Sequence, residues 1–276
     1  MYGIILRGMA VGITETVPGI SGSTVAMILG IYERLINSIS LLTTRRRREA
    51  YSFLFKFGIG LAAGFVVSLL LIDYFLTNHR FVTLLFFTGI IVGFLPFFWQ
   101  ETVALAKRNI KAKHYIILLI FFLIVVLGQM SGGIEGIDIN NLTMKHYIFF
   151  FVSGIIASTA LIAPGISGAL ILTILGVYEI AKDALLAFNM PIVISIGAGV
   201  VIGLLVASRF IRYLLRTYPV PTYVAMVGLV AGSIFAIIAN IEGPVTTGTV
   251  VVGAITFIAG VTLSVVLKRL QLKQVQ

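Results

Sequence analysis

Residues 12–24 read Gly-Ile-Thr-Glu-Thr-Val-Pro-Gly-Ile-Ser-Gly-Ser-Thr, and 146 positions after Pro18 the string Pro-Gly-Ile-Ser-Gly returns at residues 164–168. Both copies interrupt apolar stretches, residues 3–43 and 146–190. Proline lacks an amide donor and crowds the preceding turn, and glycine disfavours a helix interior, so neither stretch runs as one continuous helix. Each arm is expected to hold about ten to fifteen residues, short of the ~20 that cross a ~30 Å hydrocarbon core. The pattern predicts two re-entrant hairpins, each a pair of half-helices meeting at a broken tip, with Pro18, Gly19 and Pro164 as the breaking positions.

Outward from these strings lie six stretches long enough to span: 52–76, 81–99, 115–130, 192–207, 222–239 and 250–267. At the 146-residue offset Gly8 also matches Gly154, Ile28-Leu29-Gly30 matches Ile174-Leu175-Gly176, and Tyr32-Glu33 matches Tyr178-Glu179. At an offset of 139, Gly58, Gly60 and Gly64 correspond to Gly197, Gly199 and Gly203, and Gly89 and Gly93 to Gly228 and Gly232. The chain therefore reads as an all-α polytopic membrane protein with two repeat units, 1–130 and 146–276, joined by an external loop at 131–145. Each unit holds one hairpin and three spans. An odd number of crossings turns the second unit upside down, the inverted-topology repeat of secondary transporters with midplane sites. With both termini cytoplasmic, 17 of the 20 Lys and Arg fall on the cytoplasmic side and only Arg80, Lys145 and Lys182 outside. That bias supports the layout.

Composition sets the same class. The 276 residues are 59% hydrophobic and 11% charged, with a mean hydropathy of +1.10, where a soluble domain carries roughly 25% charged residues. A soluble enzyme, a secreted scaffold and a disordered chain are excluded. With no cysteine there is no disulfide or thiol chemistry, and His79, His114 and His146 are too scattered for a metal centre, so neither metal nor cofactor is expected. The net charge of +10 reflects basic cytoplasmic loops rather than a nucleic-acid partner. Met1 to Arg7 runs straight into an apolar segment containing Glu15, so no cleavable signal is expected.

Irregular backbone at membrane depth is tolerated only where it is buried in protein or lines a polar cavity, so both tips must face the interior. Beyond each tip a half-helix begins, at Ser21-Gly22-Ser23-Thr24 and, after Gly165, at Ser167-Gly168. Its first amides lack intrahelical partners and carry partial positive charge, a setting suited to phosphate. The plainer alternative makes Ser21 and Ser167 simple N-caps. Glu15, three residues before Pro18, is an ionisable group at depth and a candidate for proton or ion coupling; the alternative is a salt bridge with Arg7 or Arg34. Leu161 stands at the matching place, so this acid is not duplicated. Arg7 and Arg34 flank the first hairpin and are candidate phosphate ligands, with interfacial snorkelling as the alternative. Arg209, Arg212 and Arg216, like the run at 45–48, set topology and attract anionic membrane lipids, with a substrate role as the alternative. Gly89/Gly93 and Gly228/Gly232 have the spacing of close helix packing. No residue is assigned a catalytic role.

At these residues the chain resembles the PopT-type undecaprenyl-phosphate translocases, long catalogued as a domain of unknown function. Residues 12–24 with Leu29-Gly30-Ile31-Tyr32-Glu33 look like the family's first signature. Ala163-Pro164-Gly165-Ile166-Ser167-Gly168 with Leu175-Gly176-Val177-Tyr178-Glu179 look like its second. Ser23 departs from the glycine more usual there and adds a hydroxyl. The resemblance, over nearly the whole chain, implies flipping of a polyprenyl-phosphate carrier from the outer to the inner leaflet of a bacterial cytoplasmic membrane. Two alternatives stand beside it. An undecaprenyl-pyrophosphate phosphatase shares a Pro-Gly-x-Ser string, but there an arginine follows the serine, where this chain has Gly22 and Gly168. A secondary transporter of a small anion shares the architecture. Oligomeric state is not legible.

Overall fold

The computed structural model describes residues 2–15, 17, 21–130, 142–239, 241 and 247–275. Pro18 and Gly19, expected to break the first segment, and residues 131–141 of the expected external loop lie outside that set. The described residues are all-helical. The first segment contains α1 (Tyr2–Thr14), α2 (Gly22–Ile28) and α3 (Tyr32–Leu41). A long span follows as α4 (Arg47–Val67), a π-helical turn at Ser68–Ile72, and α5 (Asp73–Asn78). Then come α6 (Arg80–Leu105) and α7 (Ala112–Met130). The second half runs α8 (Met144–Ile162), α9 (Gly168–Ile174), α10 (Tyr178–Leu186), α11 (Met190–Thr217), α12 (Pro219–Ala239) and α13 (Thr247–Val275).

Among the described residues 7 helices are long and apolar enough to cross a membrane. Five of them contain an expected stretch whole, and α4 holds the first part of 52–76, whose remainder runs through the π-helical turn into α5. The seventh is α8, and it corrects the expected arm length: at 19 residues this arm of the second interrupted segment exceeds the anticipated ten to fifteen. Its N-terminus is extended by a cap in which His146 Nδ1 accepts from the Thr143 amide at 2.9 Å, while Thr143 Oγ1 lies 3.1 Å from the same nitrogen.

A second difference lies past each tip, where the half-helix breaks again. Gly30 and Gly176 both take φ 67. Gly30 N–H donates to Met27 O at 3.0 Å and Ile31 N–H to Ala26 O at 2.9 Å; Gly176 N–H donates to Thr173 O at 3.0 Å and Val177 N–H to Leu172 O at 2.8 Å. These are paired Schellman closures, which use a left-handed residue that only glycine adopts without strain. The closure at Gly30 lies where α3 turns by 120° from α2.

The most extensive packing joins α6 to α13, α8 to α11, α1 to α4 and α7 to α12, with α6 against α12 between them. Glycine makes these approaches possible. A side chain at Gly89 or Gly93 would meet the α13 backbone at Phe257 or Val261, and one at Gly228 would meet α7 at Leu118, as the small-residue spacing predicts. Phe94, Phe98, Leu84, Ile91, Val230 and Ile237 fill the core between α6 and α12 and are fully buried. Ala26 and Ile28 of α2 belong to the same core, so the half-helix after the first break is held at the centre of the molecule.

Candidate functional site

The two interrupted segments meet. Gly165 N–H, at the second tip, donates to Thr24 Oγ1 at the start of α2 over 2.8 Å, joining residues 141 positions apart. Gly165 has φ +90, and a Cβ there would stand 2.5 Å from Val230 N and overlap the Leu229 carbonyl, so only glycine lets this tip seat on α12. Nearby, Tyr32 Oη donates to Ile162 O at 2.9 Å, fastening the start of α3 to the last turn of α8. Both contacts are buried. A backbone donor left unpaired in such a place costs ~1–3 kcal/mol, so each contact sets a definite register between the halves.

Around Thr24 lies a small polar cluster. Ser21, Ser23 and Thr24 are buried, and the Ser21 and Ser23 hydroxyls stand 2.6 Å apart. Ser21 and Ser167 occupy the N-cap positions of α2 and α9 with extended backbones, yet neither hydroxyl caps its helix. The plain-cap reading therefore fails at the side chains. Thr24 Oγ1 accepts from Gly165 and keeps its own proton to donate, so the cluster combines hydroxyl donors with helix-end amides.

Glu15 lies against this cluster. Its carboxylate accepts from the Gly22 amide, and a side chain at Gly22 would collide with Glu15 Oε1. The second half repeats the arrangement without the charge: a side chain at Gly168 would collide with Leu161. The half-helix α2 thus begins on a carboxylate and α9 on an apolar side chain, as the unmatched acid in the sequence implies. α9 is the more open of the two, with Gly168 its one buried residue and Ala169 and Thr173 exposed.

The sequence-predicted cations are not gathered here. Arg34 is exposed, with its guanidinium 4.6 Å above the Phe53 ring, and Arg7 sits half-buried on α1. Among the described residues neither forms an ion pair with Glu15, so the salt-bridge alternative is not what the structure holds. Lys182 pairs with Glu179 at the surface. Sequence reasoning missed Tyr32, Glu33 and Tyr223. Tyr223 Oη donates to Glu33 Oε1 at 2.5 Å, and Arg212 Nη1 and Arg209 Nη2 of α11 donate to Ser40 Oγ and Thr43 O, each at 3.0 Å. Together these contacts bind α3 to the second half. The repeated Tyr-Glu dipeptide after each glycine was the available signal.

Among the described residues, seven helices able to span and two broken segments that meet at a buried polar point define a multi-pass helical membrane protein. Comparison narrows this. The VCA0040-like, undecaprenyl phosphate translocase-like family matches residues 11–251, and the chain belongs to that family. A protein of Staphylococcus aureus (strain NCTC 8325 / PS 47) named polyprenyl-phosphate transporter is 33% identical, over 96% of this chain and 95% of its own length. One of the same name from Vibrio cholerae serotype O1 is 32% identical, over 83% of this chain and 75% of its own length. No solved structure matches the chain.

Proposed function

We propose that this protein moves a polyprenyl phosphate from the outer to the inner leaflet of a bacterial cytoplasmic membrane, returning the carrier lipid for reuse. The observation that carries the reading is the buried Thr24–Gly165 hydrogen bond, which makes the two interrupted segments one interior polar site. A phosphate cannot cross hydrocarbon unaided, because an unpaired charge there costs many kcal/mol. The cluster of Ser21, Gly22, Ser23 and Thr24, with Gly165, Ser167 and Gly168, replaces part of its hydration with amides and hydroxyls while the tail stays in lipid. Arg7 and Arg34 supply charge on the approach, Arg34 leaving the Phe53 ring to do so. Glu15 leaves the Gly22 amide on taking up a proton or ion, which frees that donor for the headgroup. The names of the two relatives and the family description support this substrate.

The architecture behind it is an inverted repeat of units 1–130 and 146–276, each one re-entrant segment and three spans, with both termini cytoplasmic. Support comes from packing partners that interchange under the repeat: α1 on α4 with α8 on α11, and α6 on α13 with α12 on α7, while α6 on α12 maps to itself. Departure from that symmetry supports alternating access. α3 packs on α11, whereas no comparable packing joins α10 to α4 among the described residues, so this conformation is closed at the basic end. Basic clusters at that end attract anionic lipid. The test is reconstitution: purified protein in vesicles should bring labelled polyprenyl phosphate to the inner face, and Glu15→Gln or Arg34→Ala should suppress this in folded protein. Absence of flipping by the wild-type protein overturns the proposal; normal flipping by both variants removes those two roles.

A further inference from the structure

Outside the interior site, the strongest concentration of charge is the turn between α3 and α4. A cavity of ≈ 620 Å³ opens there, lined by Leu42, Thr43, Thr44, Arg45, Arg47 and Arg48. The four consecutive arginines are not equivalent. Arg46 is spoken for, since its Nε and Nη2 donate to the two Glu49 carboxylate oxygens at 2.7 and 2.8 Å. Arg45, Arg47 and Arg48 line the cavity and have no hydrogen-bonding or ionic partner for their guanidinium groups among the described residues. From the other half, Arg209 holds the cavity wall at Thr43 O and Arg212 holds Ser40. Arg46 and Arg216 both stand close enough to Arg212 to repel it. Arg47 and Arg48 also occupy the first turn of α4, the helix end whose dipole disfavours cations. Like charges are thus collected around one hollow, and the neighbouring Glu49 carboxylate is already engaged by Arg46. An anion in the hollow removes the repulsion.

The shape around the hollow says what kind of anion. Along α4, Arg48 is followed at helical spacing by Tyr51, Phe55 and Ile59, which share its face. These are 50%, 71% and 47% exposed. A ligand with a charged head in the arginine cavity therefore finds an apolar track leading from it into the bilayer. Three free guanidinium forks suit the oxygens of a phosphate monoester, which offers more charge and more acceptors than a diester. We infer that the α3–α4 turn is a docking site for the phosphomonoester headgroup of a lipid, its tail lying on the exposed face of α4. The inference rests on the transport reading for its biological sense: it places a headgroup station at the basic face, separate from the interior cluster, where the lipid is received or handed off.

The experiment uses the full chain in neutral phosphatidylcholine nanodiscs and a short polyprenyl phosphate carrying a photoactivatable group in its tail. Crosslinked peptides are mapped by mass spectrometry. Labelling within residues 42–59 is expected, falling at least about tenfold in the R45Q/R47Q/R48Q variant because charge-assisted bonds to phosphate are lost. The R45K/R47K/R48K variant is expected to retain an intermediate level, and peptides outside 42–59 should label as in wild type. The corresponding prenol, which lacks phosphate, should label 42–59 only at background. Equal labelling by the prenol, or unchanged labelling in the glutamine variant, overturns the inference. Displacement of the probe by inorganic phosphate overturns the lipid assignment, and displacement by an excess of phosphatidylglycerol overturns the monoester assignment. Loss of flipping with this labelling intact would count against the transport reading alone. Loss of labelling with flipping intact would count against this site alone.

Discussion

Replacing Gly165 with alanine is the sharpest test of how the two halves are joined. At φ +90 a β-carbon strains the backbone by ~1–2 kcal/mol, since L-residues avoid that region. The same carbon would press on Val230 N at 2.5 Å and overlap Leu229 O, an intrusion into packed backbone that costs ~1–3 kcal/mol. Any shift that relieves it pulls the Gly165 amide from Thr24 Oγ1 and leaves a buried donor unmet, for ~1–3 kcal/mol. These terms overlap, so the expected loss is ~3–5 kcal/mol, or roughly 10 °C in apparent melting temperature for a chain of this size. The assay is thermal unfolding in detergent followed by intrinsic fluorescence, beside Gly58→Ala and Gly197→Ala. Those two positions have nothing within 4 Å of an added β-carbon and should be neutral or gain up to ~1 kcal/mol in helix propensity. Thr24→Val isolates the hydrogen bond and should cost ~1–3 kcal/mol. Combining Thr24→Val with Gly165→Ala should give less than the sum, because both act on one contact. A Gly165→Ala protein melting with the two control variants would refute the packing argument outright.

Other contacts yield shorter tests. Tyr32→Phe keeps the ring and deletes the bond to Ile162 O; a loss of ~1 kcal/mol is expected in the same unfolding assay. Tyr223→Phe removes the hydroxyl that holds Glu33 and should raise the accessibility of a cysteine placed at the α3–α11 seam, read by labelling in intact vesicles; unchanged labelling would deny that contact a part in closure. Glu15→Gln should slow reconstituted flipping while leaving the melting temperature at the wild-type value, because the amide still fits beside Gly22. Removing the exposed Arg46–Glu49 pair, with side chains 67% and 53% exposed, should leave melting unchanged, as solvent screens such pairs.

Much of the fold was legible because the bilayer imposes a simple rule: a spanning element must be long, apolar and internally hydrogen-bonded. The six stretches between 52 and 267 follow from that rule and appear as helices. Gly89, Gly93 and Gly228 were readable as packing positions, since small residues one turn apart permit backbone contact. The length of α8 was misjudged because the segment 146–190 was divided evenly about its tip. The run from 146 to the break before Pro164 is long enough by itself to cross, and the Thr143–His146 cap adds only Met144 and Lys145. The second break, at Gly30 and Gly176, went unread although it is repeated, because one glycine in an apolar segment is compatible with either a helix or its end.

The candidate site divides in the same way. Composition, the two Pro-Gly-Ile-Ser-Gly strings and Glu15 determine by themselves that this is a membrane protein with two interrupted segments and an acid beside the first that the second does not repeat. Those properties depend on neighbours in the chain, which the sequence states directly. Tertiary structure alone decides that Thr24 receives the Gly165 amide, that Tyr32 reaches Ile162, that Glu15 rests on Gly22, and that Arg34 turns to Phe53. Each of these depends on how separate helices are placed against one another. Helical periodicity specifies which face of an element is apolar but carries no information on which distant partner meets it.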